Sequence, residues 1–161
     1  MSHDHHQGAG AAGEDLNRLA LAATLHCLTG CGIGEVLGMV IGTALHWSNA
    51  ATIAIAVALA FVFGYALTMR PLLGAGMGAA QAARLALAAD TASITVMEIV
   101  DHLIMLVIPG AMEAHFDAPR FWGSLAVSLV IAGIAAFPVN RWLIRRGRGH
   151  AVVHSHHGNH H

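Results

Sequence analysis

The chain has 161 residues, enough for one domain; 56% of them are hydrophobic and only 11% carry a formal charge. With no lysine and a mean hydropathy of +0.61, the composition excludes most water-soluble domains and is typical of a small integral membrane protein. The formal net charge of -1 leaves no basic face for nucleic acid, which we therefore exclude as a partner.

Four apolar segments are long enough to cross a lipid bilayer, whose hydrocarbon core of about 30 Å needs roughly 20 residues of helix. They cover about residues 19–45, 50–69, 85–108 and 121–144, and proline, glycine, serine and asparagine fill the connections. Strand-like alternation is absent. The sequence therefore predicts an all-α fold, a four-helix transmembrane bundle over residues 16–146. A disordered His-containing tail (1–15) precedes it and a His-rich tail (147–161) follows it.

The arginines predict the orientation of this bundle. If all four segments cross, seven of the eight arginines lie on one side, and Arg120 alone lies on the other. Because cytoplasmic loops are enriched in arginine, both termini are expected in the cytoplasm, with the protein in the inner (plasma) membrane. Trp47 and Trp122 then lie at the outer interface and Trp142 at the inner one, where tryptophan is enriched.

Glycine occurs at every fourth position through the first segment, at Gly30, Gly34, Gly38 and Gly42. These positions share one face of a helix. Rows of small residues allow two membrane helices to approach closely. We therefore expect this glycine row to pack against the third segment or against a second copy of the chain. Because four short helices make a thin bundle, a homo-oligomer is the expected state, with the glycine row as its seam. A pore-lining strip is the alternative.

A second row beside the glycines contains groups that are unusual in a membrane helix: Cys27, Cys31, Glu35 and Met39, with His26 adjacent. Two cysteines four residues apart do not form a disulfide framework, and cysteine in such a helix is often an apolar filler. A charge near the bilayer centre costs at least about 2.5–3.5 kcal/mol. Glu35 must therefore be neutral, paired or bound to a cation.

The third segment supplies partners for this row. It contains three acids and a histidine: Asp90, Glu98, Asp101 and His102. The first and third segments cross in the same direction, so counting from each start puts Glu98 level with Glu35 and Asp90 level with Cys27. The same count puts Asp101 and His102 level with Met39. So many acids in one crossing indicate a bound cation, or a proton-sharing network that only fixes helix packing.

Carboxylate, imidazole, thiol and thioether groups together are typical ligands of transition metals. The thiols and thioethers favour a soft ion such as Cu(I), whereas the acids and His102 favour Zn²⁺ and its neighbours. The sequence predicts a copper- or zinc-like ion of unresolved identity. Its candidate ligands are His26, Cys27, Cys31, Glu35, Met39, Asp90, Glu98, Asp101 and His102.

Both ends of the chain are rich in histidine. The C-terminal tail contains His150, His154, His156, His157, His160 and His161, and the N-terminal tail contains His3, His5 and His6. Clustered imidazoles indicate metal binding of low specificity. The alternatives are a purification-tag remnant or other polar tail, and a pH-sensing tail, because histidine titrates near neutrality.

The chain resembles small bacterial four-helix membrane proteins catalogued as domain of unknown function 4396. The resemblance rests on HCLTGCGIGEVLGM, DTASITVMEIVDHLIMLVIPGAME and FWGSLAVSLVIAGIAAFPVNRWLIRRGRGHAVVHSHH, and runs from about residue 25 to the C-terminus. It implies an integral membrane protein. It implies no activity and no ligand set.

The sequence thus predicts a transporter or channel for transition-metal cations, with the lipid bilayer and the cation as its partners. A membrane factor that holds a metal and passes it to a partner metalloenzyme is the first alternative. A proton-coupled or structural membrane subunit is the second. No enzymatic activity is expected, because the sequence offers no nucleophile–base arrangement or cofactor motif.

Overall fold

The structure, a computed structural model, describes the backbone of residues 5–111 and 118–146 and the side chains of 13–111 and 118–146. It consists of four helices: α1 (His5–Ala44), α2 (Asn49–Gly74), α3 (Ala79–Val107) and α4 (Pro119–Arg145). The predicted all-α fold with four helices is confirmed. The C-terminal histidine tail and the N-terminal histidine side chains lie outside the described residues.

Two helix ends differ from the prediction. Helix α1 begins at His5, whereas a disordered tail was predicted up to residue 15; alanine, glutamine and glutamate in this stretch favour a helix. Helix α2 continues through Pro71 to Gly74, where a loop was predicted. The chain turns at Gly76, whose φ of +84° suits glycine and whose N–H donates to the Leu73 carbonyl at 3.0 Å.

The helices form a bundle in which α1 and α3 lie on a diagonal. Helix α1 packs most extensively on α2 and also on α4, helix α3 packs on α4 and α2, and the contact between α1 and α3 is smaller. Inward side chains of α1 and α3 therefore meet near the bundle axis rather than at its periphery.

The glycine row of α1 packs against α2 of the same chain, not against α3 or a second copy as predicted. Gly42, Gly38, Gly34 and Gly30 face Thr52, Ala56, Ala60 and Gly64 in that order. A Cβ added to Gly30 would lie 2.7 Å from the Gly64 Cα, so the two backbones are almost in contact. The row is consequently buried within the chain and is not available as a seam between subunits.

Helix α2 has the matching pattern of small residues, which the sequence analysis overlooked. Its buried positions recur at every fourth residue: Thr52, Ala56, Ala60, Gly64, Thr68 and Leu72. Two antiparallel helices that each carry a small-residue row with this spacing can stay in register over several turns. The spacing in α2 was the signal that could have identified the correct partner.

Three helices in the described part of the chain are long and apolar enough to cross a membrane: Gly13–Ala44, Asn49–Gly74 and Pro119–Arg145. Helix α3, expected as a fourth crossing, is not among them, because Asp90, Glu98 and Asp101 make it less apolar. Those acids are all buried inside the bundle, whereas Leu87, Ile99, Leu103 and Leu106 on the outer face of α3 are at least half exposed.

The α1–α2 contact gives a stability prediction. We expect Gly34→Ala to destabilise the protein by about 1–3 kcal/mol, because the new methyl group would overlap the Ala60 backbone and push the helices apart. The measurement is the midpoint of detergent unfolding followed by circular dichroism.

Gly32→Ala is the matched control on the same helix. Its Cβ would lie 3.6 Å from the Leu129 Cδ1, an ordinary van der Waals contact, and its midpoint should stay close to that of the parent protein. Equal stabilities of the two variants would contradict the packing described.

Candidate metal centre

The acids of α3 lie inside the bundle because of their spacing. Glu98, Asp101 and Met105 recur at intervals of three and four residues, which places them on one helical face. Glu98 is 5% exposed and Asp101 2%, and Glu35 on α1 is 5% exposed. Carboxylates from two diagonal helices thus meet close to the axis.

Four residues form what we call the central cluster: Glu35, Glu98, Asp101 and His102. The His102 Nε2 lies 3.5 Å from the Glu35 Oε1, and the His102 Nδ1 lies 3.8 Å from the Glu98 Oε2. One potential ligand atom each from Glu35, Asp101 and His102 lies within 4.8 Å of the others. The structure therefore brings together four of the nine predicted ligands in one place, with the His102 side chain beside Glu35 and not level with Met39 as predicted.

The orientation of His102 is fixed by its own helix. Its Nδ1 lies 2.9 Å from the backbone carbonyl oxygen of Glu98. Because a carbonyl can only accept, the Nδ1–H donates this bond, and the neutral ring then presents the Nε2 lone pair to Glu35. Metal-binding histidines are commonly held in this way, with one nitrogen bonded to a carbonyl and the other free to bind the ion.

The carboxylates of the central cluster are poorly satisfied within the protein. Glu35 Oε1, both Glu98 oxygens and both Asp101 oxygens are buried without a hydrogen-bond partner among the described residues. In that part of the chain, the basic side chain beside Glu35 and Glu98 is the imidazole of His102, and neither acid pairs with an arginine. Burying several carboxylates with so little compensation is costly, so the cluster needs protons or a cation.

The donors and their spacing suit a divalent transition-metal ion. Carboxylate oxygen and imidazole nitrogen bind Zn²⁺ at about 2.0–2.2 Å, which separates two tetrahedral ligands by roughly 3.4 Å. The 3.5 Å between His102 Nε2 and Glu35 Oε1 matches this separation. Small side-chain movements would bring the Asp101 carboxylate to the same ion.

A second group of polar residues, which we call the inner layer, lies two helical turns away: Cys27, Asp90 and Ser93. All three are fully buried, and the Cys27 Sγ lies 3.9 Å from the Asp90 Oδ1. Beside them His26 and Thr68 are joined by a hydrogen bond of 3.0 Å. The sequence predicted that Asp90 and Cys27 lie at the same depth, and this contact agrees with that prediction. Thr68 had not been singled out.

The two remaining predicted ligands lie on either side of Glu35 along α1. Cys31 is 1% exposed and adjoins the Glu98 carboxyl group, one turn from both the central cluster and the inner layer. Met39 is half-buried and lines a cleft of about 330 Å³ at the end of α1, together with Thr43, His46 and Thr52. The row of candidate ligands on α1 thus extends from Met39 at this cleft, past Glu35 and Cys31, to Cys27.

A buried hydrogen bond between α4 and α1, at the end of the bundle away from the Met39 cleft, was not predicted from the sequence. Asn140 on α4 donates through Nδ2 to the Thr24 Oγ1 at 2.9 Å, and that hydroxyl donates to the Ala20 carbonyl at 2.8 Å. An asparagine in an apolar segment next to Pro138 was the available signal, since buried amides need partners.

Comparison with known proteins gives a family match. A family model described as Domain of unknown function (DUF4396) matches residues 17–149, so the match begins ahead of residue 25, where the resemblance was expected to start. No curated protein and no solved structure matches the chain.

The unsatisfied carboxylates give a prediction for the metal-free protein. We expect Glu35→Gln to raise the free energy of unfolding by about 1–3 kcal/mol, because an amide is already neutral, whereas the buried carboxyl group must take up a proton or remain charged. The measurement is detergent unfolding in the presence of a chelator.

Glu14→Gln is the control for this change, because Glu14 is exposed and its neutralisation should leave the midpoint unchanged. Added Zn²⁺ should stabilise the parent protein and the control more than it stabilises Glu35→Gln. A Glu35→Gln variant that is less stable than the parent without metal would contradict the unsatisfied state of this carboxylate.

Proposed function

We propose that this chain, which belongs to the DUF4396 family, carries transition-metal cations across a membrane as a transporter or channel. One observation carries the proposal. Five buried carboxylate oxygens without hydrogen-bond partners among the described residues surround a histidine whose free nitrogen faces them. In a low-dielectric interior such an arrangement requires positive charge, and the donors are those of a metal ion.

Charge balance favours a divalent ion in the central cluster. Glu35 and Asp101 together supply two negative charges, and neutral His102 adds a donor without adding charge. A divalent cation bound to these three residues forms a neutral unit when Glu98, the third acid of the central cluster, keeps its proton, and such a unit is much less costly to bury than its separate charges.

The proposal includes four membrane crossings with both termini in the cytoplasm. The apolar outer face of α3 and the inward direction of its acids support α3 as the fourth crossing, in spite of its composition. Trp47 and Trp122 are half-exposed near one end of the bundle, and Trp142 near the other, where the Arg146 guanidinium lies 4.4 Å from its ring centroid. This distribution agrees with two interfacial belts and with the inner membrane inferred from the arginines.

In this scheme the ion passes along the row of candidate ligands on α1, from Met39 to Cys27. The cleft beside Met39 is the outer mouth, the central cluster is the binding site at mid-depth, and Cys31 leads from it to the inner layer. The histidine tails then lie at the cytoplasmic mouth and receive or deliver ions there. The assembly is proposed to be a homo-oligomer whose seam uses a surface other than the glycine row.

A metal-holding factor for a partner metalloenzyme is the second candidate function. It is favoured by the closed state of the central cluster, in which Glu35, Glu98 and Asp101 are each at most 5% exposed. A site that retains its ion until a partner opens the bundle would look the same.

Ion flux tests the transport proposal. The full chain reconstituted in liposomes should conduct at least one of Zn²⁺, Co²⁺, Ni²⁺ and Cu⁺, measured with a metal-sensitive dye in the lumen. We expect Asp101→Ala and His102→Ala to reduce that flux at least tenfold, because each removes a ligand from the central cluster, and Glu14→Gln to leave it unchanged.

The outcomes separate the alternatives. Stoichiometric metal that depends on Asp101 and His102, without flux of any ion, would select the metal-holding factor. A folded protein that neither binds these metals nor is stabilised by them would reject both candidates and favour the proton-coupled or structural subunit.

The four-crossing topology has its own test by cysteine labelling with a membrane-impermeant maleimide in intact cells. Ala80→Cys at the start of α3 should be protected, and Pro109→Cys beyond its end should react. The native thiols should not interfere, because Cys27 and Cys31 are at most 1% exposed. Labelling of both positions from the same side would show that α3 does not cross.

A further inference from the structure

The inner layer contains chemistry that the central cluster does not need. A thiol, a carboxylate and a hydroxyl from the two diagonal helices converge at Cys27, Asp90 and Ser93, and each of these residues is 0% exposed. Cys27 precedes Glu35 by eight residues and Asp90 precedes Glu98 by eight, which separates the two groups by about 12 Å along the bundle. That distance is too great for one ion to bind both groups.

Two contacts indicate that this group is arranged for a ligand. The Cys27 Sγ lies 3.9 Å from the Asp90 Oδ1, so the thiol and the carboxylate face each other across the axis. The Ser93 hydroxyl also faces the Cys27 thiol, and apart from that thiol its buried oxygen has no hydrogen-bond partner among the residues described. A thiol is a weak hydrogen-bonding group, so this hydroxyl is poorly satisfied in a dry interior, and a bound ion would satisfy it.

We propose that the inner layer is a second metal site, separate from the central cluster, in which the Cys27 thiolate, the Asp90 carboxylate and the Ser93 hydroxyl bind a thiophilic divalent cation such as Zn²⁺, Co²⁺ or Cd²⁺. On binding, the Cys27 S–H bond breaks and a sulfur–metal bond forms, and the proton leaves to the solvent. No electron is transferred. The thiolate and the carboxylate together balance the two charges of the ion.

The two sites then differ in softness. The central cluster offers oxygen and nitrogen, whereas the inner layer offers a thiolate, which binds Zn²⁺, Co²⁺ and Cd²⁺ far better than Mg²⁺ or Mn²⁺. The inner layer would thus exclude hard divalent ions from the cytoplasmic half of the path. This inference rests on the proposed function only for its role in transport, because binding at the inner layer can be measured without flux.

Cobalt spectroscopy tests the site, because thiolate ligation to Co²⁺ gives a sulfur-to-metal charge-transfer band in the near ultraviolet that oxygen and nitrogen ligands do not give. The full chain in detergent, including its histidine tails, should show this band on titration with Co²⁺. We expect Cys27→Ser to abolish it, and Asp90→Asn to weaken the Co²⁺ affinity read from it by roughly tenfold or more.

Cys31→Ser is the matched control, since Cys31 is the other buried thiol on the same face of α1 and should leave the band intact. Circular dichroism establishes that each variant is folded. Absence of the band in the folded parent protein would overturn the proposal. A band that disappears in Cys31→Ser and persists in Cys27→Ser would also overturn it, by assigning the thiolate to the central cluster.

Glu35→Gln separates this proposal from the proposed function. It should alter the central cluster and the flux while the charge-transfer band persists. A band that persists in a protein with no metal flux would support the inner site and reject transport. A band that is lost in Glu35→Gln would reject two separate sites.

Discussion

The need to compensate buried negative charge governs the arrangement of this protein. Glu35, Glu98 and Asp101 lie within a bundle whose outside is apolar, and the nearest basic group within the described residues is the imidazole of His102. An unpaired carboxylate in such surroundings is far more costly than any single hydrogen bond in the fold can offset. The acids can therefore remain in the sequence only if their burial is matched by protons or a cation, and this requirement turns an ordinary bundle into a candidate ion-binding protein.

The close contact between α1 and α2 is what directs the ligands inward. The glycine row of α1 lies against the small residues of α2, and the row that contains Cys27, Cys31 and Glu35 is displaced from it by one residue, about 100° around the helix. Because the glycines pack against α2, this second row faces the bundle axis, and α3 lies opposite it across that axis. Helix packing and site geometry thus follow from a single pair of neighbouring rows.

Much of this could be predicted from the sequence, because it depends on helical spacing. The four helices, the level of Glu98 with Glu35 and that of Asp90 with Cys27 all follow from counting residues along helices. The partner of the glycine row could not be obtained from the row itself, since any small surface can accept it; α2 was identifiable only from its own spacing of Thr52, Ala56, Ala60 and Gly64.

Counting residues did not show whether these two levels form one site or two. Cys27 and Glu35 have different depths in sequence, but only the position of α3 across the axis shows which candidate ligands are in contact at each depth. The hydrogen bond from His102 Nδ1 to the Glu98 carbonyl depends on a side-chain rotamer, which spacing does not specify. For the same reason Thr68 and Thr24 escaped notice: a threonine in an apolar helix often satisfies its hydroxyl on its own backbone, as Thr24 does with the Ala20 carbonyl.

The backbone contact between α1 and α2 also limits how the bundle can move. Where Gly30 meets Gly64 and Gly34 meets Ala60, the described backbones touch, and no long side chain lies at these positions that could change rotamer and let one helix slide past the other. We therefore expect this pair to behave as a single rigid body. Glu35 and Cys27 belong to it, whereas Asp101, His102 and Asp90 belong to α3. Access to either group of candidate ligands would then require α3, with or without α4, to tilt away from a stationary half of the molecule. An ion bound as proposed would be released when this motion separates the two halves of its site.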